Sequence, residues 1–217
     1  VHNSATAKIL GGLGVTRIIT SRDISLSEVK RMWQEPALEM EYFIHGDMCV
    51  AESGQCYQST ITFGESSNRG RCMKPCRWRY TLLYGEPETG KIIIRDAMLL
   101  AKKDMCLFGH LKEVLESGIV SLKIEGRARS PEFLGKLVAI YRRELDRVLG
   151  KRLTGRESTP EADLREIESM QIREFSTCAA FGKSGLAGVD PSGSREPRIV
   201  SIAKNEQSLP SLISNPV

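Results

Sequence analysis

Four of the six cysteines are crowded into 28 residues, and this crowding is the clearest chemical signal in the sequence. Cys49, Cys56, Cys72 and Cys76 are separated by six, fifteen and three residues. Four soft thiolates can hold a four-iron four-sulfur cluster, and they can also hold a tetrahedral zinc ion. Structural zinc usually draws on two short cysteine pairs, and only the last pair here is short. The spacing therefore favours a [4Fe-4S] cluster and keeps zinc as the alternative.

A disulfide framework explains the same cysteines less well. Disulfide scaffolds are small, secreted and dense in cysteine, whereas this chain has 217 residues and its first residues do not resemble a secretory signal. Arg71 and Arg77 flank the short pair and could donate hydrogen bonds to cluster sulfurs. Cys106 is a possible substitute ligand, and the isolated Cys178 is predicted to be a structural or free thiol.

A basic segment overlaps the last two of these cysteines. From Arg69 to Tyr84 the chain carries five cations and no acidic residue, with Trp78 and Tyr80 interleaved among them. Such a segment is typical of a surface for RNA or another anion, and a solvated basic loop is the alternative. The overall balance of 31 basic and 27 acidic residues is too mild to identify a nucleic-acid binder.

The elements that must position these residues alternate between strand and helix. The composition, with 41% hydrophobic residues, is that of a globular chain, and no apolar run reaches the roughly 18 residues of a membrane span. Ser25 and Glu28 form a capping box that opens a helix ending at Pro36, and Ser130 with Pro131 opens a long helix that ends near Gly150. Strands are predicted at 15–20, 38–45 and 119–125, a further helix at 107–117, and a hairpin at 80–84 and 91–95.

The alternation predicts an α/β fold, with a parallel sheet covered by helices and a long functional excursion from residue 46 to about residue 103. Three strands are too few to close a barrel. The chain also starts inside a helical pattern, so we expect a fragment of a larger domain. Residues after Lys151 are less regular, with a short helix at 161–170, a loop at 182–197 and an unstructured tail at 208–217.

Charged side chains follow the predicted strands. His45 ends the second strand, and Lys123, Glu125, Arg127 and Arg129 follow or end the third. The carboxyl ends of parallel strands share one edge of a sheet, where substrate-binding groups gather. A core histidine and a solvated salt-bridge cluster are the alternatives. A phosphate loop at 181–184 is rejected because Thr177 stands where that motif needs glycine.

Several ordered blocks of this sequence resemble peptidase family U32, the collagenase-like proteases. The blocks are EYFIHGDMC at 41–49, SGQC at 53–56, NRGRC at 68–72, PCRW at 75–78, KDMCL at 103–107, SLKIEGR at 121–127 and REF at 173–175. Asp47 departs from the family pattern, which has a small residue there, as do Gln58 and Cys178. The resemblance covers residues 3–182 and leaves the four clustered cysteines intact.

The resemblance implies a TIM-type (β/α) barrel, of which residues 1–150 would be the C-terminal part, with a cysteine-rich cluster-binding insertion at about 46–106. Residues 151–217 would be an irregular extension or the start of a following domain. Cys49, Cys56, Cys72 and Cys76 would bind the cluster. We predict catalytic roles for His45 and Glu125, and substrate binding by Arg77, Lys123 and Arg127.

The function implied by the resemblance is oxygen-independent hydroxylation of RNA or a related anionic aromatic substrate, with prephenate as a possible co-substrate. Peptide hydrolysis by a collagenase-like protease is one alternative, and an iron–sulfur accessory role in ubiquinone biosynthesis is another. A partner protein of the same family and a cytoplasmic location are further expectations of the resemblance.

Overall fold

The computed structural model describes residues 1–33, 38–127, 129–153, 157–182 and 185–191. Its first half contains three helices and four strands. They are α1 (Ser4–Gly12), β1 (Arg17–Ile19), α2 (Leu26–Met32), β2 (Glu39–Gly46), α3 (Gln58–Phe63), β3 (Tyr80–Tyr84) and β4 (Lys91–Ala97). The second half continues with β5 (Asp104–Cys106), α4 (Leu111–Glu116), β6 (Ile119–Ile124), α5 (Pro131–Val148), α6 (Pro160–Ser169) and β7 (Phe175–Ser176).

Helices α2, α5 and α6 begin at side-chain caps. The Ser25 hydroxyl accepts from the Glu28 amide while the Glu28 carboxylate accepts from the Ser25 amide, which is the predicted capping box. The Ser130 hydroxyl accepts from the amide of Phe133 and opens α5, with Pro131 in the first turn. Thr159 caps α6 in the same way. These bonds satisfy amides that the first turn of a helix leaves unpaired.

The main sheet is built around β2. This strand runs parallel to β1 and β6 and antiparallel to β5, and β5 pairs in turn with β7 in parallel. The three predicted strands are therefore present and parallel. The two additional strands have three and two residues, which is too short for an alternating pattern to reveal them.

The fold is a mixed α/β fold, as the sequence predicts at the level of class. Among the described residues the five-stranded sheet is open, and it does not close into the barrel that the family resemblance implies. The predicted parallel sheet is present in β1, β2 and β6, but β5 turns back along β2 and pairs antiparallel with His45 and Gly46. That reversal places the end of the long excursion beside its beginning.

The core lies between β2 and the helices that cover it. Met40, Tyr42 and Ile44 alternate along β2 with at most 1% of their surface exposed. Leu137 and Tyr141 of α5 pack in the same cluster, as predicted from helical spacing.

The predicted hairpin forms a separate sheet. Strands β3 and β4 pair antiparallel, and much of β4 is exposed to solvent. Within the described ranges, no helix is both long enough and apolar enough to cross a membrane. The predicted helix stop at Pro36, the rejected phosphate loop at 183–184 and the predicted tail at 208–217 lie outside the described residues.

Candidate functional site

A cavity of about 380 Å³ opens where β2 and β6 end. All four clustered cysteines line it, and all six cysteines of the chain are free thiols. Charged residues complete its wall: they are Arg22, Asp47, Glu52, Lys74, Arg77, Glu125 and Arg127. The structure thus brings the predicted metal ligands together with three of the five predicted catalytic or substrate-binding residues.

The cysteines stand on loops that are fixed by local hydrogen bonds. Cys56 is two residues before α3, and its carbonyl accepts from the Ser67 hydroxyl at 2.8 Å. Ser59 is fully buried, and its hydroxyl accepts from the Met73 amide at 3.1 Å while its oxygen lies 4.0 Å from Cys72 Sγ. Cys76 lies in a single 3-10 turn that Pro75 opens. These contacts fix the segments that carry Cys56, Cys72 and Cys76.

The four sulfurs influence one another electrostatically. Burial raises the pKa of the Cys76 thiol, the neighbouring Arg77 opposes this rise, and Cys72, Cys49 and Cys56 each raise the pKa further. Four thiolates around one cavity would repel each other, so a cationic centre bound between them would favour the ionised form. Among the described residues, no three His, Cys, Asp or Glu side chains are arranged to hold a single metal ion.

Arg77 closes the excursion on itself. Its guanidinium donates to the Met48 carbonyl at 2.6 Å and to the Lys102 carbonyl at 3.0 Å, which joins the beginning of the excursion to its end. It is a buried residue of the cavity wall. Arg77 therefore links two backbone segments, and its role in substrate binding stays a prediction.

Glu125 and Arg127 reach the cavity from the end of β6. The Glu125 amide donates to the His45 carbonyl at 2.9 Å, and the Glu125 carboxylate accepts from the Arg127 amide at 3.2 Å. Gly46 has a φ of +117°, and a Cβ atom there would lie 2.3 Å from the Glu125 carbonyl oxygen. Glycine at position 46 is thus what allows the two strand ends to approach and turn into the cavity.

Lys123 lies outside the residues that line the cavity. Its ammonium group bonds the Glu41 carboxylate at 3.2 Å and sits 5.3 Å from the centre of the Phe43 ring. Burial raises the pKa of Glu41, but hydrogen bonds from Ser121 and Lys123 outweigh it and lower the pKa overall. Lys123 is therefore engaged in pairing β6 with β2.

His45 also lies away from the cavity wall, in the core of the sheet. Its Nδ1 atom is 3.1 Å from the Tyr141 hydroxyl, and its ring meets the edge of Phe175 at 5.4 Å. Because the Tyr141 hydroxyl donates to the Ile44 carbonyl, it can accept a hydrogen bond from Nδ1. Burial lowers the pKa of His45 to about 4, with Arg129 contributing in the same direction. The imidazole is therefore neutral at pH 7.

A buried ion-pair network beneath the cavity was not predicted. Asp47 pairs with Lys74 at 2.8 Å, Arg129 at 3.0 Å and Arg173 at 2.6 Å, and both arginines also pair with Asp104. Burial alone raises the pKa of Asp47, but Arg173, Lys74 and Arg129 together hold it well below its usual range. Asp47 and Arg173 are 126 positions apart, so no sequence pattern joins them.

Known proteins share much of this sequence. Residues 1–188 match the profile of Peptidase family U32. The chain belongs to this family. It is 36% identical over 146 residues to the 23S rRNA 5-hydroxycytidine C2501 synthase of Escherichia coli, covering 67% of this chain and 22% of that protein. It is 36% identical over 143 residues to tRNA hydroxylation protein P1 of Bacillus subtilis, covering 61% and 32%.

The chain is also 37% identical over 155 residues to an uncharacterized protease of Methanocaldococcus jannaschii, covering 69% of this chain and 38% of that protein. The chain thus spans between about a fifth and two fifths of these relatives. No solved structure matches the chain significantly.

Proposed function

We propose that this U32 member takes part in oxygen-independent hydroxylation of an RNA base, using a [4Fe-4S] cluster bound by Cys49, Cys56, Cys72 and Cys76. The observation that carries the proposal is the single cavity lined by these four free thiols together with Glu125 and Arg127. Relatives whose names state tRNA hydroxylation and rRNA hydroxycytidine synthesis support the choice of reaction and substrate class.

The donor set fits an iron–sulfur cluster better than zinc. Thiolate sulfur is the usual ligand of both, but a single zinc ion requires its ligands to converge on one point. Structural zinc usually draws on two short cysteine pairs, and only Cys72 and Cys76 form one here. The cations Arg22 and Arg77 at the cavity wall offset thiolate charge. When bound, the cluster supplies one-electron transfer to and from the substrate site.

The remaining residues of the cavity have roles that follow from their charge. The exposed Arg127 is suited to an RNA phosphate or to a carboxylate of prephenate, the oxygen donor that the family resemblance implies. The Glu125 carboxylate borders the cavity and accepts from the Arg127 amide, so it is suited to accept a proton from a bound substrate. Direct roles for His45 and Lys123 stay predictions, since both side chains pack on the sheet.

Finer features of the family belong to the same proposal. Parallel β1, β2 and β6, linked through α2 and α4, are consistent with three strands of a (β/α) barrel that other strands would complete. We also propose the division near residue 150, the cysteine-rich insertion, a partner of the same family and, because the relatives modify RNA, a cytoplasmic location.

The test is anaerobic purification followed by iron and sulfide analysis with a visible spectrum. We expect about four irons with matching sulfide in the wild type, since a cubane contains four of each. Cys72→Ser removes one ligand and should lose most of this iron. Cys178→Ser is the matched control, because Cys178 is buried against Ser176 and away from the cavity wall. Equal loading in both variants, or zinc in place of iron, contradicts the ligand assignment.

The substrate is tested separately with RNA binding across a salt series. Binding that weakens with salt and is reduced by Arg127→Ala supports an RNA substrate, because released counterions make phosphate contacts salt-dependent. The names of some relatives keep a peptidase as the second candidate. Gelatin cleavage that survives Cys72→Ser would favour that candidate and count against the hydroxylase.

A further inference from the structure

Arg22 is a charged residue of the cavity wall that sequence reasoning did not single out. It follows β1 and precedes α2, and its guanidinium is half-buried against the first cysteine loop. One terminal nitrogen donates to the Asp47 carbonyl at 2.5 Å, and the other lies 3.5 Å from Cys49 Sγ. The guanidinium carbon is also 4.9 Å from the centre of the Phe43 ring.

These three partners are a carbonyl, a sulfur and an aromatic ring, and none of them is a carboxylate. The positive charge of Arg22 is therefore not cancelled by the groups that orient it. The Asp47 carbonyl and the Phe43 ring orient the guanidinium plane, and the second terminal nitrogen faces Cys49 Sγ. At Cys72, by contrast, the neighbouring donor is the neutral hydroxyl of Ser59, at the longer distance of 4.0 Å.

We propose that Arg22 is a positioning residue that raises the reduction potential of the cluster by donating a charged hydrogen bond to Cys49 Sγ. This inference rests on the proposed cluster. Hydrogen bonds to the sulfurs are among the factors that set cluster potentials. A reduced cluster carries one more negative charge than the oxidised cluster, so a fixed cation beside its sulfur stabilises the reduced form more.

The test is a redox titration of the anaerobically reconstituted chain, followed by visible absorption and electron paramagnetic resonance. Arg22→Met removes the charge and both donors at similar length, and we expect a more negative midpoint potential. Arg22→Lys keeps the charge but cannot span the Asp47 carbonyl and Cys49 Sγ together. Its midpoint potential should therefore lie between those of the wild type and Arg22→Met. Arg31→Met is the control, because Arg31 lies on the exposed side of α2 and pairs only weakly with Glu28.

The midpoint potential is measured on loaded molecules alone, so it separates a tuning role from a structural one. If Arg22→Met and Arg22→Lys load less cluster but keep the wild-type potential, Arg22 only supports the loop and the inference is overturned. An equal potential shift in Arg31→Met overturns it as well, because the effect would then be a general charge effect. A wild type that takes up no cluster overturns the proposed function itself, and the role of Arg22 with it.

Discussion

The sheet around β2 and the excursion that leaves it are stabilised by different forces. Along β2, alternate side chains are buried in the main apolar core. In the excursion, the isoleucines of β4 are exposed, and order comes from polar ties such as Arg77 to two carbonyls and Lys74 to Asp47. The proposed ligands therefore stand on the region with the smaller apolar core, and the rigid sheet serves as their anchor.

This difference teaches where the site is vulnerable. Hydrophobic burial is non-directional and tolerates small shifts, whereas a hydrogen bond is lost when its partners move apart. The positions of the cysteines depend on the second kind of force. Truncation of a core side chain in the sheet should destabilise the whole molecule. Loss of a polar contact in the excursion should displace the cysteines while the sheet stays folded.

The largest effect is expected from a core truncation in β2. Ile44→Ala removes a side chain with 1% exposure, and we expect the free energy of unfolding to fall by about 2–5 kcal/mol. Ile93→Ala in β4 is the control, because Ile93 is 53% exposed and its change should stay within about 0.5 kcal/mol. Urea unfolding followed by circular dichroism measures both. Similar losses in the two variants would erase the contrast between the regions.

The sheet should also differ from the excursion in the way its stability depends on pH, because it holds the buried His45. The pKa of His45 is about 4 in the fold, so an unfolded histidine, with a pKa near 6.5, binds its proton first as pH falls. Because of His45, the free energy of unfolding should fall as the pH is lowered from about 6.5 to about 4. The total loss from this group is on the order of 3 kcal/mol, and above pH of about 6.5 there is no loss.

His45→Gln removes this titrating group and should flatten the decline, as seen in urea unfolding at a series of pH values from 7 to 4. Tyr141 can keep a hydrogen bond to the glutamine amide, which makes this variant the milder replacement. A decline as steep in the variant as in the wild type would assign the acid sensitivity to other groups.

The smallest effect is expected in the hairpin. Arg79 pairs with Asp96 at 2.9 Å, but the two side chains are 50% and 67% exposed. Exposed ion pairs contribute only about 0.2–1 kcal/mol, so Arg79→Ala should lower the free energy of unfolding by no more than that. Thermal and urea unfolding with Ile44→Ala alongside would test it. A loss as large as that of the core variant would show that the hairpin is coupled to the sheet.

Much of the scaffold was predictable because its signals are local. The capping box at Ser25, the Ser130–Pro131 helix start and the strand predicted at 38–45 each rest on signals within a few residues, and each appears in the structure. The short strands β5 and β7 were not predicted, because they exist only through their pairing with distant segments. The helical spacing of apolar residues in α5 predicts that Val138 faces the core, yet this side chain is half exposed.

In the candidate site, too, some features follow from local sequence and others depend on contacts between distant segments. Residue types alone indicate which side chains can bind a soft metal centre, because thiolate sulfur is a soft ligand in any fold, and the strand pattern places Glu125 and Arg127 at a strand end. The folded chain is what brings these groups to one cavity and packs His45 and Lys123 on the sheet. It alone joined Arg22 to Cys49 and Asp47 to Arg173, because side chains far apart in sequence meet only when the chain folds.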